Sequence, residues 1–164
     1  MTDYDSALST YFENFVKDRN VESDAVIVSE IPDDAVVLDI GCGFNQFKGR
    51  IKNLIGIDKY NNAADYVVDM MDFECKAESF DILLILGSIN LGTFELIERQ
   101  VEKALSWLKP GGKIYMRVNP GDGAPGTYYW KKEEIEYLAN KHNLLFVKPI
   151  TLNDNKRFVF VWQK

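Results

Sequence analysis

Apolar positions change their period several times along the chain. Tyr4, Leu8, Tyr11, Phe12, Phe15 and Val16 fall at helical spacing, which predicts a first helix over roughly residues 3–18 carrying an aromatic stripe. Ser23 is placed to cap a second, short helix that ends before Pro32. From Val36 the pattern becomes continuous. Val36–Ile40 is an apolar run with one acid in it, the look of a strand buried on both faces. Leu54–Asp58, Tyr66–Asp69 and Asp81–Leu86 predict three more strands. Thr93–Leu108 returns to helical period, with Phe94, Ile97, Val101, Leu105 and Leu108 on one face. It stops at Lys109-Pro110-Gly111-Gly112, because proline cannot continue a helix and glycine permits a left-handed turn. Lys113–Val118 predicts a fifth strand. Trp130–His142 predicts a helix with Ile135, Leu138 and Ala139 inward. Leu144–Leu152 and Arg157–Trp162 read as a hairpin around Asn153-Asp154-Asn155.

Strands alternating with helical segments predict an α/β domain with a largely parallel sheet. The expected organisation is one domain over residues 1–164, with a helical cap (1–31) and an α/β core (36–164). Such sheets bind ligands outside the carboxyl ends of their strands, where the strand order reverses.

Composition narrows the partners. A chain of 164 residues, 46% hydrophobic, is large enough for one real core. Its net charge of −6 argues against broad contact with phosphate backbones, so a nucleic-acid partner is not expected. Lys131-Lys132 and Lys156-Arg157 are small local exceptions. Cys42 and Cys75 form no CxxC, so neither a metal site nor a disulfide is expected. The start, MTDYDSAL, has no basic flank before an apolar stretch, and no run of about 18 apolar residues follows. These features predict no membrane span and a cytoplasmic location.

Chemistry concentrates in VVLDIGCGFNQF at residues 36–47. Gly41 and Gly43 fit the first two glycines of the dinucleotide fingerprint, but Gln46 stands at the third. A tight turn with no ligand explains a lone GxG equally well. Asp58 strengthens the ligand reading, because an acid ending the next strand can accept ribose hydroxyls.

VLDIGCG, GID, VVDM, FDILLILGS and LKPGGKIYM, in that order, resemble the signatures of the class I S-adenosylmethionine-dependent methyltransferases. The match runs from about Val36 to Val118. The resemblance implies a Rossmann-like, doubly wound, seven-stranded sheet, mostly parallel with an antiparallel last strand. That strand would lie between the fifth and sixth, which suits the apolar run FVFVW at 158–162. S-adenosylmethionine is the implied cofactor. Gly41 and Gly43 match the turn that approaches its methionine part, and Asp39 the acid that holds the amino end. Asp58 matches the ribose acid, Asp69 and Met70 the adenine pair, and Gly87 and Ser88 the segment under the sulfonium. There are two departures. Asn45 stands where many members have a third glycine, and Phe44–Asn53, interrupted by Gly49, is too short for the usual full helix.

A sulfonium methyl is already a strong electrophile. The protein must align a nucleophile and exclude water, and a base is needed only for a protonated acceptor. No metal is required. The expected reaction is methyl transfer to a nitrogen or oxygen of a small molecule. The alternatives are a non-catalytic S-adenosylmethionine-binding module, an enzyme of this fold using another nucleoside ligand, and a nucleic-acid or protein methyltransferase. Candidate catalytic residues are Asp122, the one acid in the loop NPGDGAPG at 119–126, and Asn90 after the fourth strand. Tyr11, Asn119, Tyr128 and Trp130 are candidate substrate contacts. Each has a plainer reading: the aromatic stripe as core, Tyr128-Tyr129-Trp130 as the anchor of a helix start, and Asp122 as a turn former. His142 reads as structural.

Overall fold

The computed structural model describes residues 21–120, 127–153 and 156–164, with side chains from residue 25 onward. The elements run α1 (Val21–Glu30), β1 (Val36–Ile40), β2 (Asn53–Asp58), β3 (Tyr66–Val67), β4 (Phe80–Leu86), α2 (Phe94–Trp107), β5 (Leu108–Val118), α3 (Lys132–Lys141), β6 (Leu145–Leu152) and β7 (Phe158–Gln163). All seven strands form one sheet in the order β3-β2-β1-β4-β5-β7-β6. β7 runs antiparallel to both its neighbours, whereas the pairings among β1 to β5 are parallel. Phe160, Val161 and Trp162 are buried, as an inner strand requires.

The period of two divides the core into layers. Leu38, Ile40, Leu83, Ile85, Ile114 and Met116 face one side, against Ile97 and Val101 of α2 and Ile135 and Leu138 of α3. Val37, Ile82, Leu84, Tyr115 and Val161 face the other, against Ile31, Phe47 and Ile51. Glu30, at the end of α1, accepts hydrogen bonds from Lys148 and Tyr115. Burial and the Glu30 carboxylate push the Tyr115 hydroxyl up to about 12, so it stays a donor.

Four expectations are corrected or qualified. Ser23 lies inside α1, not before its first described residue, Val21. β3 is shorter than Tyr66–Asp69. Asp69 turns the chain instead, its Oδ1 accepting the Met71 N–H and its carbonyl the N–H groups of Asp72 and Phe73. Pro110-Gly111-Gly112 does not separate α2 from β5. The strand starts at Leu108, and Gly111 and Gly112 pair with Lys164 beyond β7. The predicted helix at 3–18 lies outside the described residues. Among the described residues no helix is long and apolar enough to cross a membrane.

Candidate functional site

The carboxyl ends of β1, β2, β4 and β5 meet at one edge, which the parallel pairings dictate. There the turn after β1 touches the turn after β4. Gly41 has φ 71°, and a Cβ on it would lie 2.2 Å from the Cβ of Ser88. Only glycine allows that approach. The Gly41 and Cys42 N–H groups donate to the Ile57 carbonyl at 2.8 and 3.0 Å. The Gly43 N–H donates to Asp58 Oδ2 at 2.9 Å. Asp58 Oδ1 accepts the N–H groups of Tyr60 and Asn61 at 2.8 and 2.9 Å. A carboxylate offers about four lone-pair directions. One therefore remains, on Oδ2.

Between β1 and β2 the chain makes successive turns in place of a helix, as expected from its length. Asn45 holds them. Its φ of 54° is left-handed, a conformation asparagine tolerates better than most side chains. Its Nδ2 donates to the Ala63 carbonyl at 3.1 Å and to Asp65 Oδ2 at 3.4 Å. Asp65 also accepts the Gly56 N–H at 2.8 Å and pairs with Lys48 at 2.7 Å. Burial works against its ionisation, but Lys48, the Gly56 N–H and Asn45 together hold its carboxyl below the usual range. So Asn45 fastens the turns after β1 to the segment before β3.

Other predicted cofactor residues lie along the same edge. Asp39 is buried in β1, opposite Gly56 of β2 and Leu84 of β4. Asp69 lies 3.4 Å from Lys59 Nζ, and Met70 is buried in the larger core cluster. The Ser88 hydroxyl is buried with no hydrogen-bond partner among the described residues. Cys42 is buried, and desolvation with the charges of Asp39 and Asp58 pushes its thiol well above the ordinary value. It stays protonated and unreactive. No group of residues suited to holding a metal occurs among the described residues.

Asn90 organises the neighbouring loops. Its carbonyl accepts the Tyr128 N–H at 2.6 Å, and its Oδ1 accepts the Asn119 N–H at 3.1 Å. The Asn119 carbonyl accepts the Trp130 N–H. Trp130 is 1% exposed, and its indole N–H donates to the Ile89 carbonyl at 3.1 Å, so its ring supports the loops from beneath. Tyr128 stacks on Phe94 and donates its hydroxyl to Glu134 at 2.6 Å. Burial and Glu134 raise the pKa of that hydroxyl, which stays protonated. Asp122 and Tyr11 lie outside the described residues. His142 follows α3, at the amino end of β6 and away from this edge. Burial lowers its pKa.

Two arginines join the edge that sequence reading did not assign to it. Arg117 of β5 is 8% exposed, and its Nη2 donates to the Leu86 carbonyl at 3.0 Å. Arg157 immediately precedes β7, whose antiparallel course starts at the carboxyl end of β5. The available signal was a charge inside the apolar strand sequence KIYMRV.

No family model matches the chain. It is 26% identical over 132 residues to the tRNA (carboxymethyluridine(34)-5-O)-methyltransferase alkbh8 of Xenopus tropicalis, covering 72% of this chain and 19% of that protein. The chain thus spans about a fifth of that relative. Among solved structures, the 1,6-didemethyltoxoflavin-N1-methyltransferase of Burkholderia thailandensis, with bound 1,6-didemethyltoxoflavin and S-adenosylhomocysteine, superposes with a TM-score of 0.71 at 16% identity. That alignment covers 98% of this chain and 88% of the other. Phosphoethanolamine N-methyltransferase 1 of Haemonchus contortus, solved with phosphoethanolamine and S-adenosylhomocysteine, gives 0.73 at 13% identity, covering 98% and 48%. The strand order, the inner antiparallel β7 and these likenesses agree: this chain has the fold of the class I S-adenosylmethionine-dependent methyltransferases.

Proposed function

We propose that the chain is a methyltransferase that uses S-adenosylmethionine to methylate a nitrogen or oxygen of a small molecule. The observation that carries this reading is the glycine turn after β1, bolted by Asp58 and packed without a gap on Ser88. Its features fit the cofactor. Gly41 lets the turn after β1 lie directly on Ser88, Asp58 keeps one acceptor direction, and Ser88 has a buried hydroxyl without a partner among the described residues. The solved neighbours with S-adenosylhomocysteine support the same cofactor.

In this reading Gly41, Gly43 and Asp39 hold the methionine part, Asp58 the ribose, and Asp69 with Met70 the adenine. The cofactor supplies an electrophilic methyl. The chain supplies alignment and a dry site. Asn90 orients the acceptor through its amide, Asn119 and Tyr128 flank it, and Trp130 supports them. Asp122 orients a protonated acceptor or takes its proton, and Tyr11 contributes to a cover. The curated relative's name favours a second reading, in which the acceptor belongs to a tRNA. The net charge of −6 weighs against that.

The test is mass spectrometry of small molecules that co-purify with the protein. A turnover screen with labelled S-adenosylmethionine over metabolite, RNA and protein pools follows. Label entering a small molecule is expected. Label confined to RNA would favour the second reading, and no binding of the cofactor or its demethylated product would end the first.

A further inference from the structure

Three backbone N–H groups hold the Asp58 carboxylate, and they come from two separate turns. Gly43 belongs to the turn after β1, and Tyr60 and Asn61 to the turn after β2. Asp58 is 4% exposed, so little water is at hand to replace a donor that moves away. How the two turns sit on each other therefore sets which way the remaining acceptor direction of Oδ2 points.

Asn45 joins the two turns. Its backbone stays with the first, its N–H donating to the Cys42 carbonyl and its carbonyl accepting the Lys48 N–H, both at 2.9 Å. Its side chain crosses to the second, Nδ2 donating to the Ala63 carbonyl at 3.1 Å. The Ala63 N–H donates to Asn61 Oδ1 at 2.9 Å, and the Asn61 N–H returns to Asp58. Asp58, Gly43, Asn45, Ala63 and Asn61 thus close a ring around the carboxylate. Asp65 ties that ring to β2, since its Oδ2 accepts both the Gly56 N–H and Asn45 Nδ2. Asn45 packs closely there, for a Cβ on Gly56 would lie 2.6 Å from its Oδ1. That Oδ1 is buried with no hydrogen-bond partner among the described residues, which destabilises the fold. Glycine would supply the left-handed φ of 54° without that cost. What asparagine adds is the donor that closes the ring.

We infer that Asn45 is a positioning residue for the cofactor: it acts through Asp58, aiming the carboxylate at the ribose hydroxyls of S-adenosylmethionine. The inference rests on the cofactor reading above. It gives one account of the two departures in this loop. With no full helix after β1 to steady the glycine turn, the side chain at position 45 does so. The ordering is completed before the ligand arrives, so the ligand does not have to fix the turns itself.

The test uses calorimetry on the full chain with S-adenosylhomocysteine and its 2′-deoxy and 3′-deoxy analogues. In the wild type, removing the hydroxyl that meets Asp58 should weaken binding roughly 10-fold or more, because a hydrogen bond to a charged group is lost. Asn45→Gly keeps the left-handed backbone and drops the crossing donor. It should bind S-adenosylhomocysteine more weakly, and removal of the same hydroxyl should now cost only about 3-fold or less, because the two changes act on one contact. A residue that merely stabilised the fold would leave that ratio where it was. If Asn45→Gly fails to fold, Asn61→Ala opens the ring at the bond from Ala63 and carries the same comparison. The inference is overturned if hydroxyl removal costs the same factor in wild type and variant, or if the variant binds S-adenosylhomocysteine as tightly as the wild type. A wild type that binds all three ligands equally would overturn the ribose role of Asp58, and the inference with it. A wild type that binds none of them would overturn the cofactor reading on which both depend.

Discussion

The Gly43 N–H donates to Asp58 Oδ2 at 2.9 Å, so the acid that ends β2 also fixes the turn that follows β1. One carboxylate thus does two tasks. It shapes the glycine turn, and with three N–H groups accepted it keeps one acceptor direction over. Asp58→Asn retains an oxygen but loses the charge and the acceptor capacity of one branch. We expect it to weaken S-adenosylhomocysteine binding by about 1–3 kcal/mol, with a fold intact by circular dichroism. Calorimetry giving wild-type affinity would remove Asp58 from the ribose site.

Asn45 makes a second prediction. Glycine at this position keeps the left-handed backbone but loses the bonds to Ala63 and Asp65. Alanine loses the same bonds and adds backbone strain of about 1 kcal/mol. Asn45→Ala should therefore lower the melting temperature more than Asn45→Gly. Equal melting temperatures would show that the left-handed backbone is not what the position requires.

Acid should loosen two places in the fold. The Asp65 carboxyl is held below its ordinary value by Lys48, the Gly56 N–H and Asn45, acting against burial. Asp81 is held low by Lys109 and the Val36 N–H. Because the folded pKa is the lower one, the contribution of each group is complete above the unfolded value of about 4. It is lost as pH falls through the folded value. Denaturant unfolding at a series of pH values should show stability dropping below about pH 4. Lys48→Gln should make that drop shallower, and an unchanged slope would contradict the role given to Lys48.

Asp122 belongs to the proposed chemistry and lies outside the described residues. With a protonated acceptor at saturation, Asp122→Asn should lower kcat roughly 100-fold or more while cofactor affinity stays intact. With an acceptor whose reacting atom is already ionised, turnover should stay close to wild type, because no proton has to leave. Comparing the two acceptor types separates a base from a loop former.

Much of the fold is readable from local pattern. Runs such as VVLDI and DILLIL cannot be amphipathic helices, and their continuous apolar character requires burial on both faces. The position of β7 inside the sheet is what the family resemblance implied, and the apolar run at 158–162 suits it for the same reason. Gly41, Gly43 and Asp58 were legible because a turn between a buried strand and its neighbour needs those residue types. What the chain alone could not show depends on contacts between distant segments. That Lys164 draws Gly111 and Gly112 into strand pairing follows from where β7 ends, not from the Pro-Gly-Gly sequence. That Asn45 replaces a missing helix follows from the nearness of Asp65 and Gly56. Arg157 reaches Gly87 only because β7 runs backward and begins where β5 ends. Periodicity reports which face of an element is buried, but it holds no information on which loop ends share an edge. Tertiary pairing decides that.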